Sequence, residues 1–155
     1  IAAIDGPFLK VRDVEAFLRT AEEALRLHRA GESDAVTRLT AAEAVYAGDF
    51  LEEDAYEDWA LAMREEARAT YVAVARALAD TAAARGDVDA TTRYSLRVLE
   101  RDPYDEPAHL GLVAALERAG RHGEARRRFR AYCARMDEIG VESAPFPAPQ
   151  SRPEL

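Results

Sequence analysis

The chain has 155 residues but only one cysteine, one tryptophan and two methionines. A lone Cys133 cannot close an internal disulfide, which points to a reducing compartment, the cytoplasm. It also excludes any Cys-pair metal spacing. No apolar run approaches the roughly 20 residues that a membrane span needs, and the mean hydropathy is −0.33. Basic charge is in short supply: 21 Lys and Arg face 29 Asp and Glu, a net charge of −8. An acidic body with one lysine, Lys10, is a poor binder of bare nucleic acid, because phosphate contacts need clustered cations. There is no nucleophile elbow and no glycine loop to cradle a phosphate. His28, His109 and His122 fall on separate elements with no acidic or thiol partner at ligand spacing. The sequence therefore offers no catalytic, metal or cofactor residues, and we expect a chain that is not an enzyme.

What is present is a repeat. Gly86 in Ala84-Arg-Gly-Asp and Gly120 in Ala119-Gly-Arg-His lie 34 residues apart. A 34-residue period with a helix on each side of a glycine turn is the mark of tetratricopeptide-type helical hairpins. The apolar residues keep register: Leu78 and Leu112 share one position, Ala82 and Leu116 another, Val98 and Tyr132 a third. Hydrophobic content of 48% suffices for a core, so the spacing predicts an all-α stack of antiparallel hairpins with one long central helix.

The first 12 residues lack a helical period; Gly6-Pro7 reads as a breaker and Phe8–Val11 as a short extended piece. A helix is expected from Asp13 to Gly31, with Val14, Phe17, Leu18, Ala21, Leu25 and His28 inward. Ser33 or Asp34 caps a second, which buries Val36, Leu39, Ala42 and Tyr46 and ends before Gly48. Asp54 and Glu57 resemble a capping box for the long third helix, whose stripe runs Trp59, Met63, Ala67, Tyr71, Val74, Leu78, Ala82. Asp87 caps the fourth (Thr91, Tyr94, Val98). Asp105 caps the fifth, with Pro107 tolerated in its first turn. The sixth buries Ala125, Phe129, Tyr132 and Met136, with Cys133 a small buried hydrophobe, and closes at Gly140. We divide the chain into 1–12, an extended remnant of a preceding domain or linker; 13–140, the hairpin domain; and 141–155, a Pro-rich C-terminal tail. The start at Ile1 rather than Met is read as a piece of a longer protein.

Three surfaces are candidates for partners. In hairpin arrays the first helix of each repeat lines the concave face; in this register it presents Arg76, Asp80, Leu110, Glu117 and Arg118. Their mix of charge with one exposed leucine suits a peptide held around an apolar anchor, or the chain's own tail through Phe146. Arg126, Arg127, Arg128 and Arg130 on the sixth helix are a solvated face or a docking patch for an acidic partner. The run Asp49, Glu52, Glu53, Asp54, Glu57, Asp58 either favours the dipole of the third helix or forms a rim for a basic partner. Trp59 is read as an anchor against the first hairpin.

Several stretches together resemble one family. Gly48–Ala60 followed by Arg64-Glu-Glu-Ala-Arg68, then Ala84-Arg-Gly-Asp-Val, Val98–His109, Ala119–Ala125 and Ile139–Pro145 are similar to the bacterial transcriptional activator domain. The resemblance covers residues 13 to 145. It implies a tetratricopeptide-like domain that follows a winged-helix DNA-binding domain in actinobacterial antibiotic-pathway regulators, and occurs in larger regulators with an ATPase module. Such domains help to dimerise the regulator and contact the transcription machinery. On that resemblance Phe8–Val11 would be a last wing strand, and the chain itself would not read DNA specifically. The alternative is a general tetratricopeptide scaffold that binds peptides or partner proteins in a non-transcriptional complex.

Overall fold

The computed structural model describes residues 7–46 and 58–147, with side-chain surroundings for 12–46 and 61–147. It contains α1 (Pro7–Arg29), α2 (Ala35–Val45), α3 (Asp58–Ala84), α4 (Val88–Arg101), α5 (Glu106–Arg118) and α6 (His122–Glu138). There is no strand among the described residues, and the fold is all-α as the period predicts. The chain divides within α3 into two compact units, Ile1–Leu78 and Ala79–Leu155.

In the first unit α1 packs on α2. Val14, Phe17, Ala21, Ala24 and Leu25 of α1 are buried, at the spacing of one helical face. The helix begins at Pro7, so the expected extended piece at Phe8–Val11 is helical instead. The physical reason is that proline's fixed φ suits the first helical turn, where its missing N–H costs nothing. At the other end Gly31 adopts φ 71°. Its N–H bonds the His28 carbonyl and that of Glu32 bonds Leu27, the paired bonds of a glycine C-cap.

From α2, Leu39, Ala42 and Glu43 are buried, and Tyr46 follows just past its end. The Tyr46 ring stacks on Tyr71 of α3 at 4.2 Å and meets Phe17 of α1 at 5.3 Å. The Tyr71 hydroxyl donates to Glu43 Oε1 at 3.0 Å. A carboxylate thus sits in a face that the period assigns to apolar residues, satisfied by a phenol from another helix. Gly48, the Asp54/Glu57 capping box, the acidic run and the Trp59 side chain lie outside the described residues.

In the second unit α4 packs on α5 and α5 on α6. Two kinds of turn alternate. Gly86 and Gly120, at φ 71° and 78°, end α3 and α5 with the same pair of bonds: Asp87 N–H to Ala82 with Gly86 N–H to Ala83, and Arg121 N–H to Leu116 with Gly120 N–H to Glu117. The α4–α5 turn is made by acids. Asp102 accepts from Tyr104 N–H at 3.1 Å, and Asp105 caps α5 by accepting from Ala108 N–H at 3.0 Å. Asp87 caps α4 through Ala90 N–H at the same distance. His109 Nε2 lies 2.8 Å from the Pro103 carbonyl; a carbonyl only accepts, so this nitrogen carries the proton.

Leu112, Val113, Leu116 and Ala125 form the unit's buried cluster, with Val88, Leu96, Phe129 and Phe146 against it. Tyr132 and Met136 are also buried, while Cys133, expected inside, is half-buried. After Gly140 (φ 68°) the stretch 141–147 has no regular structure, yet it is fastened. Ala144 N–H donates to the Tyr132 hydroxyl at 2.8 Å. The Phe146 ring stands edge-on to Phe129 at 5.1 Å, with the Arg126 guanidinium 3.7 Å above it.

Candidate functional site

Among the described residues no group of three or more His, Cys, Asp or Glu could hold a metal ion, and no described helix is long and apolar enough to cross a membrane. Two of the described histidines have structural partners. His109 ties α5 to the preceding turn, and His122 Nδ1 lies 3.0 Å from Glu117 Oε2. What remains is a question of surfaces.

The five residues that the repeat register assigns to a groove do not share one environment. Arg76 lies in the first unit, half-buried and already engaged by other groups. Asp80, Leu110, Glu117 and Arg118 belong to the second. Asp80 is exposed, whereas Leu110, expected as an exposed anchor, is half-buried because α5 is packed by both α4 and α6. Glu117 is turned toward His122 at the start of α6. Arg118, one residue and about 100° further round the helix, lines a cleft.

That cleft has a volume of about 360 Å³ and is formed where α3 ends, α4 begins and α5 ends. Its walls include Ala83, Ala84, Val88 and Ala115, and its cations are Arg85 and Arg118. No acidic residue lines it. Thr91, also on the wall, spends its hydroxyl on the Asp87 carbonyl at 2.7 Å, so the lining is apolar apart from the guanidinium groups. Each arginine stands at the C-terminal end of a helix, where a cation offsets the helix dipole. The dipole accounts for each one separately but not for two around one alanine-walled hollow. Neither side chain is ion-paired among the described residues. Both guanidinium groups can donate charge-assisted hydrogen bonds, and the alanine walls beside them are apolar.

Arg85 escapes the register because it sits beside Gly86 at the turn, where the repeat assigns no groove position. The tail does reach back, as its Phe146 suggests, but to Arg126 and Phe129 of α6; none of the described tail residues lines the cleft. In the arginine run of α6, Arg126 covers Phe146, Arg128 is half-buried, and Arg127 and Arg130 are exposed.

The sequence profile of the bacterial transcriptional activator domain matches residues 12–146. No curated protein and no solved structure matches the chain.

Proposed function

The chain belongs to the bacterial transcriptional activator domain family, and on that premise we propose that it is the non-catalytic protein-interaction and dimerisation domain of a cytoplasmic transcriptional regulator. In this reading it works beside a winged-helix DNA-binding domain and contacts the transcription machinery or the regulator's own domains. The observation that carries the interaction role is the cleft at the α3, α4 and α5 ends, lined by alanines and by Arg85 and Arg118, which have no ion pair among the described residues. A partner segment that presents a carboxylate beside a small apolar side chain fits it. The dimerisation role is supported by the family membership.

The experiment is a binding titration of a transcription-machinery fragment against wild type, Arg118→Glu and Arg85→Glu/Arg118→Glu. Each reversal should weaken binding by about tenfold or more, as loss of a desolvated charge contact does. Equal affinity of the double variant and wild type would refute the cleft as the site. Sedimentation velocity of the parent regulator with and without this domain tests the dimerisation role; an unchanged dimer after its removal would count against it.

A further inference from the structure

Away from that cleft, α4 and α6 flank a second groove, with a volume of about 330 Å³. Its α4 wall presents Leu96, Leu99 and Glu100, and its α6 wall Arg128, Ala131 and Arg135. These are helical stripes at steps of three and four, so each wall is one face of its helix. His109 and Pro103 also line it, already tied to each other by hydrogen bond. Leu96 packs with its inner side on the Leu112–Leu116 cluster and stays half-buried, as does Leu99. One end of the α4–α6 pair is tied by Arg121, which reaches Asp89 at 3.4 Å.

The charges of the two walls differ in sign. Glu100 on α4 and Arg128 on α6 both line the groove, yet neither carries an ion pair among the described residues. Arg135 is bonded to Glu138 at 3.2 Å with both side chains about half exposed, a contact worth little and easily exchanged. A half-buried guanidinium beside leucines gains from a carboxylate that arrives with its own apolar surface, because the pair then forms in a drier setting.

We propose that the α4–α6 groove is a docking site for an amphipathic helix of a partner protein. That helix seats one bulky apolar side chain among Leu96, Leu99 and Ala131. It turns a carboxylate toward Arg128 and a basic group toward Glu100. Charge complementarity selects this occupant over a nucleic acid: phosphates would meet Glu100 in the same groove, on a chain of net charge −8. The groove volume falls at the lower end of the range for binding pockets, enough for an anchor side chain.

The test uses the full chain and a fluorescein-labelled, alanine-based helical peptide of about 16 residues, long enough to hold a helix. The peptide carries Leu at its centre, with Lys three and Glu four residues on, so that opposite charges flank the anchor. Anisotropy should show saturable binding to wild type, loss of about tenfold for Arg128→Glu, and recovery when that variant meets a peptide with Lys in place of Glu. Replacing the peptide Leu by Ala should abolish binding. Glu100→Arg, paired with a peptide in which the Lys becomes Glu, repeats the cycle from the other wall if Arg128→Glu fails to fold by circular dichroism. Absence of saturation with wild type, unchanged affinity in both variants, or displacement of the peptide by duplex DNA would overturn the proposal.

Discussion

Tyr132 donates its hydroxyl hydrogen to Glu106 Oε2 at 2.6 Å, joining the middle of α6 to the first turn of α5. The Tyr132 hydroxyl oxygen in turn accepts from Ala144 N–H, so one fully buried phenol ties two helices and the tail. Tyr132→Phe keeps the ring and removes both bonds. Leaving a half-buried amide and carboxylate unmatched should cost about 1–3 kcal/mol in urea melts at neutral pH.

The same residue sets a pH dependence. Burial first, and the bond to Glu106 second, push the Tyr132 phenol above its ordinary value. A phenol with a raised folded pKa binds its proton more tightly in the native state. Its contribution is complete below the unfolded value of about 10 and is lost as pH rises through the folded one. Wild type should therefore lose stability above about pH 10 faster than Tyr132→Phe does. Parallel stability profiles for the two proteins across that window would contradict the assignment.

Two glycines should respond with opposite signs. Gly120 holds φ 78° with open space around a would-be Cβ, so Gly120→Ala carries only the backbone cost of the left-handed region, about 1–2 kcal/mol. Gly111 lies inside α5 with nothing within 4 Å. Gly111→Ala should stabilise by about 0.5–1 kcal/mol through helix propensity. Thermal melts of the two single variants check both.

These turns and caps were legible because their signals are local: Asp87, Asp105 and the glycines act within one turn of where they stand. The helix faces were legible for the same reason, since Val14, Phe17 and Ala21 in α1, and Tyr71, Val74 and Leu78 in α3, recur at steps of three and four. Pro7 misled because proline punctuates a helix interior but suits a helix start, and the sequence does not say which. Glu43 and Tyr71 lie 28 residues apart, a distance over which spacing carries no information about partners. At the cleft, the repeat register reached Arg118 but not Arg85, and it could not tell that Glu117 would turn to His122.

The first unit offers its own test. Tyr71→Phe removes one donor to Glu43 while retaining the stack on Tyr46. A loss of about 1–3 kcal/mol is expected, as for the loss of a buried hydrogen-bond donor. Tyr71→Leu, which removes the stack as well, should cost more, by about 0.5–1.5 kcal/mol for the aromatic pair. Equal losses in chemical denaturation would mean that the ring stack contributes nothing.

A mobility-shift assay with the isolated chain should give no sequence-dependent shift of duplex DNA at moderate salt. The net charge of −8 opposes the counterion release that drives such binding. A sub-micromolar, sequence-dependent complex would reverse that expectation.

Helix α5 packs on the helices immediately before and after it in the chain, across residues 102–105 and 119–121. These two packings need only short loops to close, and short loops cost little closure entropy. Local contacts of this kind favour fast folding. Nucleation can begin at either hairpin and spread to the other, as it does in repeat arrays. The Ala144 bond to Tyr132 needs α6 in place, and we expect its loss to appear in the unfolding rate with little change in the folding rate.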